Sequence, residues 1–295
     1  MCVASEARRL STNVAGELFV DDSCIDCGAC RWIAPDNFDY ASGHSRVFHQ
    51  PDGEAQRERS FLALVACPTG SIGATSADAK AATKRAAGQF PNRIAEGVYH
   101  CGYHSEKSFG AASYLITRSE GNVLVDSPRY NAGLVKRIEA LGGVATMVLS
   151  HRDDVADHQR FAERFGCERV LWRDDVSAKT RDVEVQPSGD EPYALAPDLL
   201  LIPTPGHTRG SACLLYRDTF LFSGDHVAFH RKRGQVYAFS GACWYDWPTQ
   251  IRSMQRLLDY RFTHILPGHG APCQFSAEEM QQQMRDCVEW MKRQR

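Results

Sequence analysis

The chain has 295 residues, 43% of them hydrophobic and 24% charged, with a formal net charge of −2. That composition leaves room for one large globular domain and a small one, and its near-neutral balance offers no basic field for a nucleic-acid partner. No apolar run approaches the roughly 18 residues that span a bilayer, and M-C-V-A-S-E-A-R-R-L lacks a secretory apolar segment, so a cytoplasmic protein without a membrane partner is expected.

The first unit covers 16–75. The run D-D-S-C-I-D-C-G-A-C-R-W sets Cys24, Cys27 and Cys30 on one tight loop, and A-C-P-T-G supplies Cys67. Three thiolates so closely spaced suit one face of an iron-sulfur cube better than a tetrahedral zinc, and the Cys-Pro unit brings the fourth from a distance. The stretch resembles the small bacterial ferredoxins with one 4Fe-4S cluster. The second C-x-x-C-x-x-C run of two-cluster ferredoxins is missing, so the resemblance implies a single cluster carrying one electron at a time, and with it a redox partner protein. Bunched apolar residues at Phe61, Leu62, Leu64 and Val65 predict a helix before Cys67, and His44 and His49 read as surface residues. Of the eleven cysteines, the other seven (Cys2, Cys101, Cys167, Cys213, Cys243, Cys273 and Cys287) read as small buried hydrophobes. Residues 76–93, rich in Ala, Lys, Thr and Ser and ending in Gly88 and Pro91, read as a linker with a helix over 77–87.

The third segment, 94–295, opens with three strands, in G-V-Y-H-C-G-Y, A-A-S-Y-L-I-T and G-N-V-L-V-D-S, with a turn at Glu120 and Gly121. Leu134, Ile138 and Leu141 form a helical stripe closed by Gly142 and Gly143. A β-branched run over 144–149 then leads into S-H-R-D-D-V-A-D-H and a helical segment carrying Phe161 and Phe165. This strand–loop–helix gathers His151, Asp153, Asp154, Asp157 and His158 in eight residues; without a cation to share, its carboxylates would repel. Three more donors sit at the ends of apolar runs: His207 in P-T-P-G-H-T, Asp225 in S-G-D-H and His269 in P-G-H-G. Between them, 169–172 reads as a strand, 190–196 as a polar connection, and 213–216 with 219–222 as a hairpin about Arg217 and Asp218. A helix near Pro248 presents Ile251, Met254, Leu257 and Leu258. The last one opens with a capping box, Ser276 and Glu279, and turns Met280, Met284, Cys287, Val288 and Met291 inward. Strands in runs with helices interleaved predict an α/β fold of sheets between helices. His100, His104, His226 and His264 read as structural. Arg231, Lys232 and Arg233 read as a solvated loop or as a clamp for an anionic substrate, and Trp244, Tyr245 and Trp247 as core or pocket wall.

Together these residues resemble the metal ligands of the metallo-β-lactamase superfamily, with S-Y-L-I, V-D-S, P-T-P-G-H-T, F-S-G-D and L-P-G-H-G in the expected order. The resemblance implies an αββα sandwich preceded by a small α+β ferredoxin-like domain. It also implies two divalent metals, zinc, iron or manganese: the first on His151 and His207, the second on Asp157, His158 and His269, with Asp225 bridging. The chain departs from the family's H-x-H-x-D-H in reading H-R-D-D-V-A-D-H. Asp153, the preferred choice, or Asp154 takes the second ligand place, and a third register leaves His151 outside. An oxygen donor there favours iron or manganese. The expected activity is hydrolysis of an ester, thioester or similar small molecule, with Asp225 and Asp157 in catalytic roles. Zinc, however, has no use for a tethered electron carrier. An iron redox enzyme resembling the flavodiiron reductases (H-x-E-x-D-H) is the alternative, although their flavin domain is absent here. An electron-transfer or partner-binding protein with a silent second domain is a further one. A nuclease ranks last, for want of a basic, aromatic-rich face.

Overall fold

The structure is a computed structural model that describes residues 4–294. Its chain forms two compact units that interleave along the sequence. The first takes the chain up to Asn122 with Ser127–Val144 and Ala156–Phe161; the second takes Val123–Asp126, Ala145–Val155 and the chain from Ala162 onward.

The first unit has strands β1 (Leu18–Val20), β2 (Phe38–Ala41), β3 (His44–Val47), β4 (Ile72–Ala74), β5 (Asn92–Ala95), β6 (Val98–His100) and β7 (Tyr114–Ile116), with helices α1 (Ala29–Ile33), α2 (Glu54–Ala66), α3 (Ala79–Gly88) and α4 (Ala132–Ala140). β1 pairs antiparallel with β4, β2 with β3, and β5–β6–β7 form an antiparallel run. Helix α2 buries Phe61, Leu62, Ala63, Val65 and Ala66, then stops at Cys67, whose extended backbone (φ −53°, ψ 121°) is what a following proline demands. Helix α3 falls where a helical linker is expected and buries Ala82 and Ala86. In α4 the Asn131 side chain accepts from the N–H groups of Gly133 and Leu134, and Leu134, Val135 and Ile138 face inward. Several elements are new, among them the β2–β3 hairpin and β5. The hairpin turns through Ser42 and Gly43, both at positive φ, and β5 exposes Arg93 and Ile94, so neither carries a strong apolar alternation.

The second unit has strands β8 (Val123–Val125), β9 (Thr146–Leu149), β10 (Glu168–Leu171), β11 (Tyr193–Ala196), β12 (Leu199–Pro203), β13 (Ala212–Tyr216), β14 (Phe220–Gly224), β15 (Ala228–His230), β16 (Gln235–Tyr237), β17 (His264–Pro267) and β18 (Cys273–Gln274). Its helices are α6 (Trp247–Leu257) and α7 (Ala277–Arg293), and α5 (His158–Phe165) crosses from the first unit. Strands β8, β9 and β10 are parallel and buried, so they read as continuous apolar runs. A six-stranded sheet runs β11-β12-β13-β14-β17-β18, with only β14 and β17 parallel. Strand β11 replaces the expected polar connection: as the exposed edge of that sheet it has no buried face to mark it. The β13–β14 connection places Arg217 and Asp218 at φ 53° and 45°, but Tyr216 pairs with Phe220, so Thr219 joins them in the turn and the loop is one residue longer than expected.

Helices α6 and α7 pack Met254, Leu257, Met280, Met284, Cys287, Val288 and Met291 onto Ile202, Leu215, Leu221 and Ile265, so the methionine stripe is core. Asp246 caps α6 through the Thr249 N–H, and Ser276 and Glu279 close the capping box of α7. Among the scattered cysteines, Cys101, Cys167, Cys213 and Cys287 are buried, and Cys243 and Cys273 half-buried; Cys2 lies outside the described residues. Among the described residues no helix is long and apolar enough to cross a membrane.

Candidate functional site

In the first unit Cys24, Cys27, Cys30 and Cys67 line one pocket together with Pro68 and Thr69. Gly28, at φ 78°, starts the short helix that carries Cys30 inward. Burial pushes the Cys27 thiol up to about 12 and the Cys30 thiol higher still, and each neighbouring sulfur adds to the rise. Cys24, Cys27 and Cys30, whose thiols burial keeps from ionising, share one pocket with Cys67, and such a set fits a group whose own positive charge makes thiols thiolates, as iron does. The Ser71 N–H already donates to Cys67 Sγ at 3.3 Å. Gly110, from outside the cysteine segment, packs against two residues of the pocket wall; at φ 87°, a Cβ there would stand 2.6 Å from Cys27 Cβ and 3.1 Å from Pro68 Cγ. Cys67→Ser is expected to cost the chain most of its cluster, read as iron and acid-labile sulfide per chain and as visible absorbance. A variant with full iron content would remove Cys67 from the ligand set.

The second unit builds another cluster of donors at its strand ends. Asp126, just after β8, accepts from Ser150 N (2.7 Å) and Ser150 Oγ (3.0 Å), and that Oγ lies 2.9 Å from His151 Nδ1. The His207 Nδ1–H donates to the Ala242 carbonyl at 2.6 Å, which leaves its Nε2 with the lone pair. From His151 Nε2 it is 3.9 Å to Asp154 Oδ2 and 3.8 Å to Asp225 Oδ2; from His207 Nε2 it is 3.7 Å to both Asp153 Oδ2 and Asp225 Oδ2. Two groups result, His151–Asp153–His207 and His151–Asp154–Asp225, each with its donor atoms within 4.8 Å of one another. His269 turns its Nδ1 to Asp225, 2.8 Å from either oxygen, and its backbone N–H donates to the same carboxylate.

Two glycines make this approach possible. A Cβ on Gly224 (φ 49°) would meet Ser150 Oγ at 2.5 Å, and one on Gly268 would meet Asp154 Oδ2 at 2.7 Å and Asp225 Oδ1 at 2.9 Å. Burial pushes the His151 imidazolium down to about 4, and burial with the nearby Asp225, Asp126 and Asp153 raises Asp154 well above the carboxylate range. Burial also opposes charge on Asp225, yet His269, His151 and His207 hold it below that range. Among the described residues His151 Nε2, His207 Nε2 and Asp154 Oδ2 are buried without a hydrogen-bond partner. Buried polar atoms are rarely left so, and donors that face one another across less than 4 Å fit a shared cation.

Residues 20–74 match the family model described as the 4Fe-4S single cluster domain of ferredoxin I. No curated protein matches the chain. Solved structures do: TMB-1 at TM-score 0.53 and 14% identity, covering 68% of this chain and 97% of that one, and the DIM-1 metallo-β-lactamase at 0.52 and 16%, covering 68% and 95%. A metallo-β-lactamase from Pontibacter korlensis follows at 0.50 and 19%, covering 69% and 98%. The larger part of the chain has the metallo-β-lactamase fold. A 4Fe-4S ferredoxin domain precedes it.

On this metallo-β-lactamase fold the expected residues divide. His151, Asp153, Asp154, His207, Asp225 and His269 come together. Asp157 belongs to the first unit, where its carboxylate accepts from Lys107 Nζ (2.6 Å) and the Tyr130 N–H (2.9 Å); although burial opposes its charge, these hold it below the usual range. His158 is buried in that unit at the start of α5. His100 and His104 share a buried Nε2···Nε2 contact of 2.8 Å, and burial holds His226 down to about 3. Arg231, Lys232 and Arg233 lie exposed in the β15–β16 turn. Trp247 packs near Trp290, whereas Trp244 and Tyr245 are 61% and 50% exposed, and Trp244 donates its N–H to the His207 carbonyl with its ring 6.3 Å from the imidazole.

Sequence reasoning missed Asp175. Buried beyond β10, it accepts from Arg152 N (2.9 Å) and Thr208 Oγ1 (2.5 Å) at one oxygen and from Gly210 N (2.7 Å) at the other, joining the two loops that carry His151 and His207. No motif marks it, because W-R-D-D reads as an exposed acidic turn.

Proposed function

We propose that the metallo-β-lactamase-fold part of the chain, within the functional segment 94–295, is a metal-dependent hydrolase of a small ester, thioester or related carbonyl compound. The observation that carries this reading is the set of three buried donor atoms, on His151, His207 and Asp154, with no partner but each other and the carboxylates of Asp153 and Asp225. His151, His207 and Asp153 would hold one divalent cation, and Asp154 and Asp225 would be the donors for an adjacent one. A cation there supplies a water of lowered pKa and polarises the carbonyl oxygen under attack. Asp225, oriented by His269, would orient that water for attack. Trp244 and Tyr245 offer exposed rings beside His207 for the apolar part of a substrate.

The test is a panel of thioesters, aryl esters and lactones offered to the anaerobically purified chain loaded in turn with zinc, iron(II) and manganese. Turnover that requires metal and is lost in His207→Ala supports the reading, and inertness with every metal ends it. One observation favours a second reading, an iron redox site fed by the cluster: three carboxylates accompany only two imidazoles in the two donor groups, a harder set than zinc selects. Native protein carrying zinc alone would exclude it.

A further inference from the structure

Arg129 places a positive charge against the cluster pocket from outside the cysteine segment. Its backbone N–H donates to the Tyr103 carbonyl at 2.8 Å, its guanidinium lies 5.9 Å from the centre of the Tyr103 ring, and its Nη1 donates to the Pro68 carbonyl at 3.3 Å. Pro68 lines the pocket and follows Cys67 directly. Burial lowers the affinity of Arg129 for its proton, and the Cys67 sulfur is the largest influence in the other direction. An arginine stays cationic through such a shift. The carboxylate of Asp157, which holds the N–H of the next residue, Tyr130, also acts on Arg129. All of these residues belong to the first unit.

We propose that Arg129 raises the reduction potential of the 4Fe-4S cluster and that Asp157 tempers the effect. One-electron reduction adds a negative charge to a cluster already bound by four thiolates, and the electron comes from an external reductant. A fixed cation hydrogen-bonded to the residue after the fourth cysteine stabilises the reduced form more than the oxidised one. Because the guanidinium is half-buried, salt screens it poorly. Asp157 carries the opposite charge near the same guanidinium and favours the oxidised form. Arg129 is thus a positioning residue for charge, not a ligand.

The test is a dithionite titration of the full, cluster-loaded chain, followed by electron paramagnetic resonance, in wild type, Arg129→Met, Arg129→Lys and Asp157→Asn. Arg129→Met should lower the reduction equilibrium constant roughly tenfold, which is ~59 mV for one electron. Arg129→Lys, which keeps the charge, should stay much closer to wild type, and Asp157→Asn should move the midpoint upward. Opposite signs distinguish charge from damage, since a pocket merely opened to water would shift both variants the same way. If Arg129→Met assembles no cluster, Asp157→Asn decides alone: a rise supports the proposal, and no change or a fall overturns it. Equal shifts in Arg129→Met and Arg129→Lys also overturn it.

Discussion

Asp225→Asn is expected to abolish divalent-metal retention in the second unit while leaving the iron-sulfur domain loaded. The substitution keeps the shape of the side chain and removes, among the described residues, the carboxylate that faces His151, His207 and His269 together, at 3.8, 3.7 and 2.8 Å. Changes to groups that only orient ligands typically cost 10–100-fold in metal affinity, so loss of a donor should cost at least about 100-fold. A second readout follows from linkage. A ligand at 100 times its dissociation constant stabilises the folded state by about 2.7 kcal/mol, so the rise in melting temperature that zinc or manganese gives wild type should vanish in the variant. Without metal the variant should melt lower than wild type, because a carboxylate held below its usual range by His269, His151 and His207 contributes stability at neutral pH that the amide lacks, and relief of the like-charged Asp154 offsets only part of the loss. Elemental analysis showing wild-type metal content in Asp225→Asn would remove Asp225 from the centre.

What the sequence made legible follows from how local each signal is. The cysteine spacing around Cys24, Cys27 and Cys30 encodes its own loop, and the strand ends before His207, Asp225 and His269 are each an apolar run followed by a turn rich in Gly or Pro. Such signals need no knowledge of what lies across the fold. The rest depended on partners far away in sequence. Asp153 and Asp154 are adjacent, and only the fold shows that Asp153 turns toward His207 while Asp154 meets His151 and Asp225. Asp157 stands in the same acidic loop, yet Lys107 and Tyr130, 50 and 27 residues away, hold its carboxylate in the first unit. Gly110 and Arg129 reach the cluster pocket from beyond the ferredoxin segment, and nothing in their own neighbourhoods announces it. Edge strands β5 and β11 were silent because a strand with no buried face has no alternation to read.

Asp175→Ala should show how much of the metal centre is made by residues that never touch the metal. Asp175 holds three donors, and two of them are backbone N–H groups in separate loops, Arg152 beside His151 and Gly210 beyond His207. The fit is close: a Cβ on Gly210 would stand 2.4 Å from Asp175 N, so that loop can pack there only as glycine. Truncation leaves all three donors buried, and each unsatisfied group costs roughly 1–3 kcal/mol, so about 3–5 kcal/mol of stability should be lost once some relaxation is allowed. The freed loops no longer hold His151 and His207 at a fixed separation, and metal affinity should fall a further 10–100-fold. Asp175→Asn keeps one carbonyl acceptor and should recover part of both. Thermal melts of metal-free protein and zinc titrations separate the two effects. Lowered stability with unchanged zinc affinity would mean that Asp175 supports the fold alone, and that the two histidines keep their positions without it.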